Sequence, residues 1–341
     1  MDGIVYSLQR FGGLIRYWDQ LLSELSLLGV LVELSLPPTL RSTPPIDVRT
    51  FKGLPSIFHS TYFTIPPDGT RSVVTVHDCI YEKNVDLAIL LDPDNSVLQR
   101  KRKCIENAAA IIVPSRATEA ALAKYYPGLT CVVHVVPEGV APQLISHQLP
   151  WAIANSRSAR LHADHSRPYL LHVGGRSHYK DFGTLLGAFA DPSLCQEFDL
   201  VVVGSESVPR PDEESPLAGI PAGARLFWLG QVSDSQLSAL YAGAAAVVSA
   251  STIEGFGLPV LEAAALGTPV ACTRIPAYFE TVGDVAEMFE PQDVAGCVRA
   301  IRAAVDLPRE SLFEFGRELS VTFSWRRMAL HIQTIYEDLI D

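Results

Sequence analysis

The apolar positions of this 341-residue chain fall into two series of short runs separated by amphipathic stretches. In the first half, Ile4–Tyr6, Leu31–Leu34, Ser56–His59, Ser72–Val76, Ala110–Val113 and Val132–Val135 predict strands. Between them, Tyr17–Leu28 and Ala117–Tyr125 space their apolar residues as helices do. Residues 141–167 lose this periodicity, carry Pro142 and Pro150 and run into Pro168. They predict a linker holding a short helix near Trp151–Ser158. A second series follows: Tyr169–Val173, Asp199–Val203, Arg225–Trp228, Ala244–Ser249, Pro269–Cys272 and Ala286–Phe289. Strands alternating with helices predict two doubly wound parallel α/β sheets, with domains over 1–160 and 161–320. The segment 205–223, with Pro209-Arg210-Pro211 and Asp212-Glu213-Glu214, reads as a mobile surface loop.

Length supports the division, since a chain of this size exceeds one hydrophobic core. A content of 48% hydrophobic and 19% charged residues fits a soluble enzyme, and no apolar run reaches the span of a membrane helix. The first residues lack the basic, apolar, small-residue pattern of a secretion signal. The six cysteines are scattered, without a Cys-x-x-Cys pair, as reduced core cysteines are. A cytoplasmic location is the expectation. Charge is uneven: residues 1–150 carry 13 Lys+Arg against 14 Asp+Glu, leaving 14 against 24 for residues 151–341. The acidic second half argues against nucleic acid as a partner, because phosphate neutralisation drives such binding. One basic run, Arg100-Lys101-Arg102-Lys103, reads either as a solvated helix end or as a contact with anionic lipid or a phosphorylated acceptor.

The densest chemistry lies at Glu254-Gly255-Phe256-Gly257-Leu258-Pro259-Val260-Leu261-Glu262. A buried strand precedes it, and a helix closed by Gly267 follows. Pro259 suits the first helical position, where its missing amide costs nothing. Gly255 and Gly257 allow the backbone close to a ligand, so free amides at the helix start can bind an anion. A carboxylate stands on each side of that anion site and would repel a bare phosphate. A ligand carrying both hydroxyls and phosphates removes the conflict: carboxylates take the hydroxyls and amides the phosphates. A nucleotide sugar has that chemistry.

This stretch resembles the Glu-x7-Glu signature of the retaining GT-B glycosyltransferases of family four, which includes many bacterial mannosyl-, glucosyl- and rhamnosyltransferases. The resemblance implies two Rossmann-like domains facing a central cleft, with a C-terminal helix over 321–341, after Phe323-Ser324-Trp325, returning to the first domain. It implies that Glu254 contacts the transferred sugar, that the Phe256-Gly257-Leu258 backbone contacts sugar and phosphate, and that Glu262 accepts from the ribose hydroxyls. Gly12 and Gly13, before the first long helix, would lie beside the donor phosphates or the acceptor. His77, at the carboxyl end of a strand, would reach the transferred sugar, with a structural bond to Asp78 as the other reading.

In the second half, Val173-Gly174-Gly175-Arg176-Ser177-His178-Tyr179-Lys180 follows a strand and opens a helix. Relatives carry Arg-Lys here and clamp the donor diphosphate with both. Lys180 carries over, whereas Tyr179 replaces the Arg. Arg176 is the expected substitute cation or else a structural pair partner, and Arg16 in the glycine loop is next. Gly204-Ser205 marks another strand end. Gln231 and Val232 resemble the base-covering loop, while Ser233 and Gln236 form a capping-box pattern. Glu280 stands where relatives have Pro-Glu, but Phe279 precedes it. Asp92-Pro93-Asp94 imitates a metal motif but reads as a turn into a helix, so no metal and no separate cofactor are expected. The implied activity is hexose transfer from GDP-mannose or a UDP- or dTDP-hexose to a lipid-linked or polysaccharide acceptor, at the cytoplasmic face of the inner membrane. The alternative is a nucleotide-sugar-binding protein of this fold without transfer activity. Family relatives begin with an apolar strand upstream of Asp2-Gly3-Ile4, so either Ile4–Ser7 replaces that strand or the true start precedes Met1.

Overall fold

Runs that are apolar on both faces become strands of parallel sheets, where helices cover each side. The computed structural model describes residues 1–8, 12–35, 57–66, 69–85, 88, 89, 92, 94–140, 167–204 and 207–340. The chain divides into one unit of Met1–Gly139 with Phe323–Asp341 and a second of Val140–Thr322.

The first unit holds β1 (Ile57–Ser60), β2 (Arg71–Thr75), β3 (Ala110–Val113) and β4 (Val132–Val135), parallel and in that order. Helix α1 (Gly13–Leu27) starts at the glycine pair and buries Ile15, Trp18, Leu21, Leu22 and Leu25. Helix α2 (Ser96–Glu106) follows a turn in which Asp92 accepts from Ser96 Oγ and the Val97 amide. Asp92 therefore closes a turn into a helix; Pro93 lies outside the described residues. Helix α3 (Arg116–Tyr125) begins where Ser115 accepts from the Thr118 amide. Lys101, within the basic run, turns inward to the Asp78 carbonyl and to Glu82 at 2.8 Å, leaving Arg100 and Lys103 outside.

The second unit holds β5 (Tyr169–Val173), β6 (Asp199–Val203), β7 (Leu226–Gly230), β8 (Ala246–Ser249), β9 (Val270–Thr273) and β10 (Ala286–Phe289). All are parallel, in the spatial order β10-β9-β8-β5-β6-β7. This is the order of a dinucleotide-binding sheet, and the order of connection reverses between the parallel neighbours β5 and β8. Ligands of such sheets bind outside the carboxyl ends of the strands at that reversal. The covering helices are α4 (Phe182–Phe189), α5 (Asp234–Gly243), α6 (Leu258–Ala265), α7 (Pro276–Val282), α8 (Val294–Val305) and α9 (Arg309–Thr322). Leu170, Leu200, Val202 and Val248 of the sheet pack with Leu185 and Phe189 of α4 and Ile301 of α8. Each such buried side chain contributes roughly 1.5–3 kcal/mol, which fixes the strand ends that carry the candidate site. The last helix, α10 (Trp325–Ile340), belongs to the first unit. There Tyr336 bonds His59 of β1 at 2.6 Å, and the same ring bonds Thr75 of β2 at 2.8 Å.

Three expectations are corrected. Ile4–Tyr6 is not a strand: Val5–Leu8 forms a helical turn, set by Gly3 at φ +57° and by Asp2 accepting from the Ile4 amide. Ile4–Ser7 therefore does not take the place of the relatives' first strand. Leu31–Leu34 forms no strand among the described residues; Leu31 is exposed, and Glu33 and Ser35 bond the backbone of Met1. The described part of 205–223 is not a surface loop, since it holds a helical turn over Glu214–Ala218 and a buried Glu213. The linker read over 141–167, with its short helix, lies outside the described residues except for Arg167, and so does Ser205.

Candidate active site

Two residues predicted in the second unit, Lys180 and Glu254, come together where its strand order reverses. Leaving β5, the chain passes Gly174, at φ +141°, and reaches Lys180. Gly204, at the end of β6, packs so closely on the Gly174 carbonyl that a side chain there would collide with it. Leaving β8, the chain reaches Glu254. The two loops are stitched together by Thr252, whose amide and hydroxyl both donate to the Tyr179 carbonyl, at 2.8 and 3.1 Å. Lys180 Nζ thereby comes within 2.6 Å of Glu254 Oε1, with both side chains partly exposed. Tyr179 contributes its carbonyl as this anchor, and its ring lies 5.2 Å from Lys180 Nζ.

Glu262 is buried on α6 and accepts from Tyr241 Oη at 3.0 Å. Gly257 caps α6 at φ +100°, between a buried Phe256 and Leu258. The helix begins at Leu258, so Pro259 is its second residue rather than its first. Gln231 is exposed and Val232 half-buried, ahead of a capping box in which Ser233 and Gln236 satisfy each other's amides. Among the described residues, no group of three or more His, Cys, Asp or Glu side chains could hold a metal ion.

Arg176 does not join this group. Its Nε donates to Glu213 Oε1 at 2.7 Å, its terminal nitrogen donates to the Val208 carbonyl at 2.6 Å, and its guanidinium lies 4.5 Å from the Trp228 ring centroid. With the pair almost wholly enclosed, the arginine charge is neutralised inside the unit. Its guanidinium is held by one carboxylate oxygen and one backbone carbonyl, which is the structural reading of this residue.

In the first unit, Gly12 and Gly13 are exposed at the start of α1. His77 bonds Glu138 rather than Asp78, at 3.2 Å; Asp78 accepts from the Ile80 amide instead. A carboxylate only accepts, so His77 Nδ1 carries the proton. The remaining Nε2 is buried without a partner among the described residues, an unmet polar group of the kind that a ligand satisfies.

Residues 155–318 match the family described as glycosyl transferases group 1. The chain carries a group 1 glycosyltransferase domain. It is 26% identical over 307 residues to O-antigen chain mannosyltransferase B of Escherichia coli, covering 82% of this chain and 74% of that protein. It is 31% identical over 214 residues to the MMP alpha-(1->4)-mannosyltransferase of Mycolicibacterium hassiacum, covering 61% and 49% of the two. Among solved structures, sucrose-phosphate synthase from Thermosynechococcus elongatus superposes with a TM-score of 0.68 at 25% identity, over 83% of this chain and 73% of that one. WaaG, a glycosyltransferase involved in lipopolysaccharide biosynthesis, superposes with a TM-score of 0.71 at 19% identity, over 97% and 98%. The fold is that of the GT-B glycosyltransferases.

The candidate residues have partners that sequence reasoning missed: Glu138 for His77 in the first unit, and Tyr241 for Glu262 and Tyr278 for Glu254 in the second. Each lies far from its partner in sequence, so no spacing announced it. Gly257 also gains a reason beyond its dihedral. A Cβ there would sit 2.5 Å from Tyr278 Cε1, and a side chain at positive φ costs roughly 1–2 kcal/mol in addition. Gly257→Ala is expected to lower the melting temperature and to weaken donor binding about tenfold or more. Unchanged melting and an unchanged donor KM would show that this turn tolerates displacement.

Proposed function

We propose that this glycosyltransferase is a retaining hexosyltransferase that takes its sugar from a nucleotide diphosphate donor. The observation that carries the reading is the Lys180–Glu254 pair at the sheet reversal, eight residues ahead of a buried Glu262 on the helix that Gly257 caps. Lys180 and the amides at Gly257–Leu258 stabilise charge as the sugar leaves its diphosphate, and such preorganised donors commonly supply roughly 3–4 kcal/mol apiece. Glu254 holds the transferred hexose and Glu262 the ribose, with Gln231 and Val232 over the base. His77 Nε2, unpartnered among the described residues of the first unit, is offered to a hydroxyl-bearing ligand. A leaving phosphate oxygen takes the acceptor's proton on the same face, which retains the anomeric configuration, and no metal takes part.

The mannosyltransferase relatives make GDP-mannose the first donor to test, with UDP- and dTDP-hexoses beside it. The acceptor is a lipid-linked or growing polysaccharide, met at the cytoplasmic face of the membrane, with Arg100 and Lys103 available to anionic headgroups. No described helix is long and apolar enough to cross a membrane. Incubated with labelled donor and a lipid-linked acceptor fraction, the chain is expected to transfer label and to continue in excess EDTA. Donor binding without transfer to any acceptor would favour the non-transferring alternative. Activity lost to EDTA and restored by manganese or magnesium would overturn the metal-free mechanism.

A further inference from the structure

Glu254 is held by two donors that meet on one of its oxygens. Lys180 Nζ reaches Oε1 at 2.6 Å, and Tyr278 Oη donates to the same oxygen at 3.1 Å. Among the described residues, Oε2 receives no hydrogen bond, and the glutamate side chain is 13% exposed. The tyrosine is itself held. Ser249 Oγ lies 2.7 Å from its phenol oxygen, and Ser251 Oγ lies 3.4 Å from Ser249 Oγ. The phenol proton goes to the carboxylate, so Ser249 donates to the phenol and the chain of bonds has one direction. Burial, and after it the Glu254 charge, push the phenol well above its usual range, which keeps it protonated and donating. The ring is 1% exposed and wedged beneath Gly257. One side chain thus touches both the glutamate and the turn that Gly257 makes.

We infer that Tyr278 is a positioning residue for Glu254, fixing Oε1 between itself and Lys180 so that Oε2 is turned toward a hydroxyl of the transferred hexose. A carboxylate held by Lys180 alone could rotate about its terminal torsion, which is broad and two-fold. The phenol removes that freedom and leaves one oxygen saturated and one available. This inference rests on the nucleotide-sugar reading of the site.

The test compares the affinities of GDP-mannose, UDP-glucose and dTDP-rhamnose with those of GDP, UDP and dTDP, by calorimetry on the full chain. Glu254→Gln should lower the ratio of sugar-nucleotide to nucleotide affinity, which tests the reading. Tyr278→Phe keeps the ring and should lower the same ratio about tenfold, as loss of a hydrogen bond to a charged group does. Free-nucleotide affinity should stay within about twofold of wild type. Ser249→Ala should act in the same direction with smaller effect, and Tyr278→Phe should add nothing in a Glu254→Gln background. If Glu254→Gln lowers the ratio and Tyr278→Phe leaves it unchanged, the inference fails and the reading stands. If Tyr278→Phe weakens nucleotide and sugar nucleotide equally, the tyrosine is merely structural and the inference fails. If no member of the panel binds, or Glu254→Gln leaves the ratio alone, reading and inference fail together.

Discussion

Lys180→Ala is expected to lower kcat/KM for the donor by about 10²–10³-fold, the usual cost of removing one preorganised donor from a developing negative charge. Two effects act together. The diphosphate loses its cation, and Glu254, 2.6 Å from that cation in wild type, is left as an uncompensated negative charge beside the leaving group. Because both side chains belong to one pair, Lys180→Ala combined with Glu254→Ala should cost less than the sum of the single losses. Lys180→Arg should recover little, since the loops place a compact point charge and a guanidinium needs a wider fork. Steady-state kinetics decide the matter: a Lys180→Ala enzyme within a few-fold of wild type would remove Lys180 from the phosphate site.

Arg176→Ala should act on stability instead. It strands Glu213, which is 4% exposed and paired at 2.7 Å, and breaking a buried pair from one side typically costs about 3–5 kcal/mol. For a unit of this size that corresponds to a fall in melting temperature on the order of 10 °C. The arginine also covers Trp228 and Phe182, so packing is lost with the charge. Arg176→Met with Glu213→Gln should recover much of the loss, since no charge is then left buried. The protein that remains folded should bind donor nearly as wild type does. Calorimetric melting alongside kinetics separates the cases: intact melting with abolished transfer would return Arg176 to the donor phosphates.

Much of the second unit was legible in the sequence because its central strands β5, β6, β8 and β9 are buried on both faces. Tyr169–Val173, Asp199–Val203 and Ala286–Phe289 form strands with the predicted ends, and the Glu254–Glu262 spacing marked the loop at the sheet reversal. Short runs near the first residues were misread because three or four apolar residues fit a strand and a helical turn equally. There the Asp2 carboxylate and Gly3 decided locally for the turn. Glu213 was hidden for a different reason. It sits between Asp212 and Glu214 in a segment that reads as a mobile surface loop, and only the fold brings Arg176 to it across 37 positions. Tyr278 has no motif of its own to mark it in the sequence. The alternation of a buried Tyr278 with an exposed Phe279 becomes visible only once helix α7 is seated.

The central claim is that the sheet reversal of the second unit binds a nucleotide sugar through Lys180. Thermal melting of the full chain with GDP-mannose, UDP-glucose and dTDP-rhamnose, in wild type and in Lys180→Ala, tests it most directly. A ligand of the native state adds about 2.7 kcal/mol of stability at 100 times its dissociation constant, which a melting curve resolves. The account predicts that at about 1 mM, the top of the usual KM range, one of these donors raises the melting temperature of wild type. It predicts that most of this shift is lost in Lys180→Ala. No shift from any donor, or an equal shift in both proteins, would contradict it.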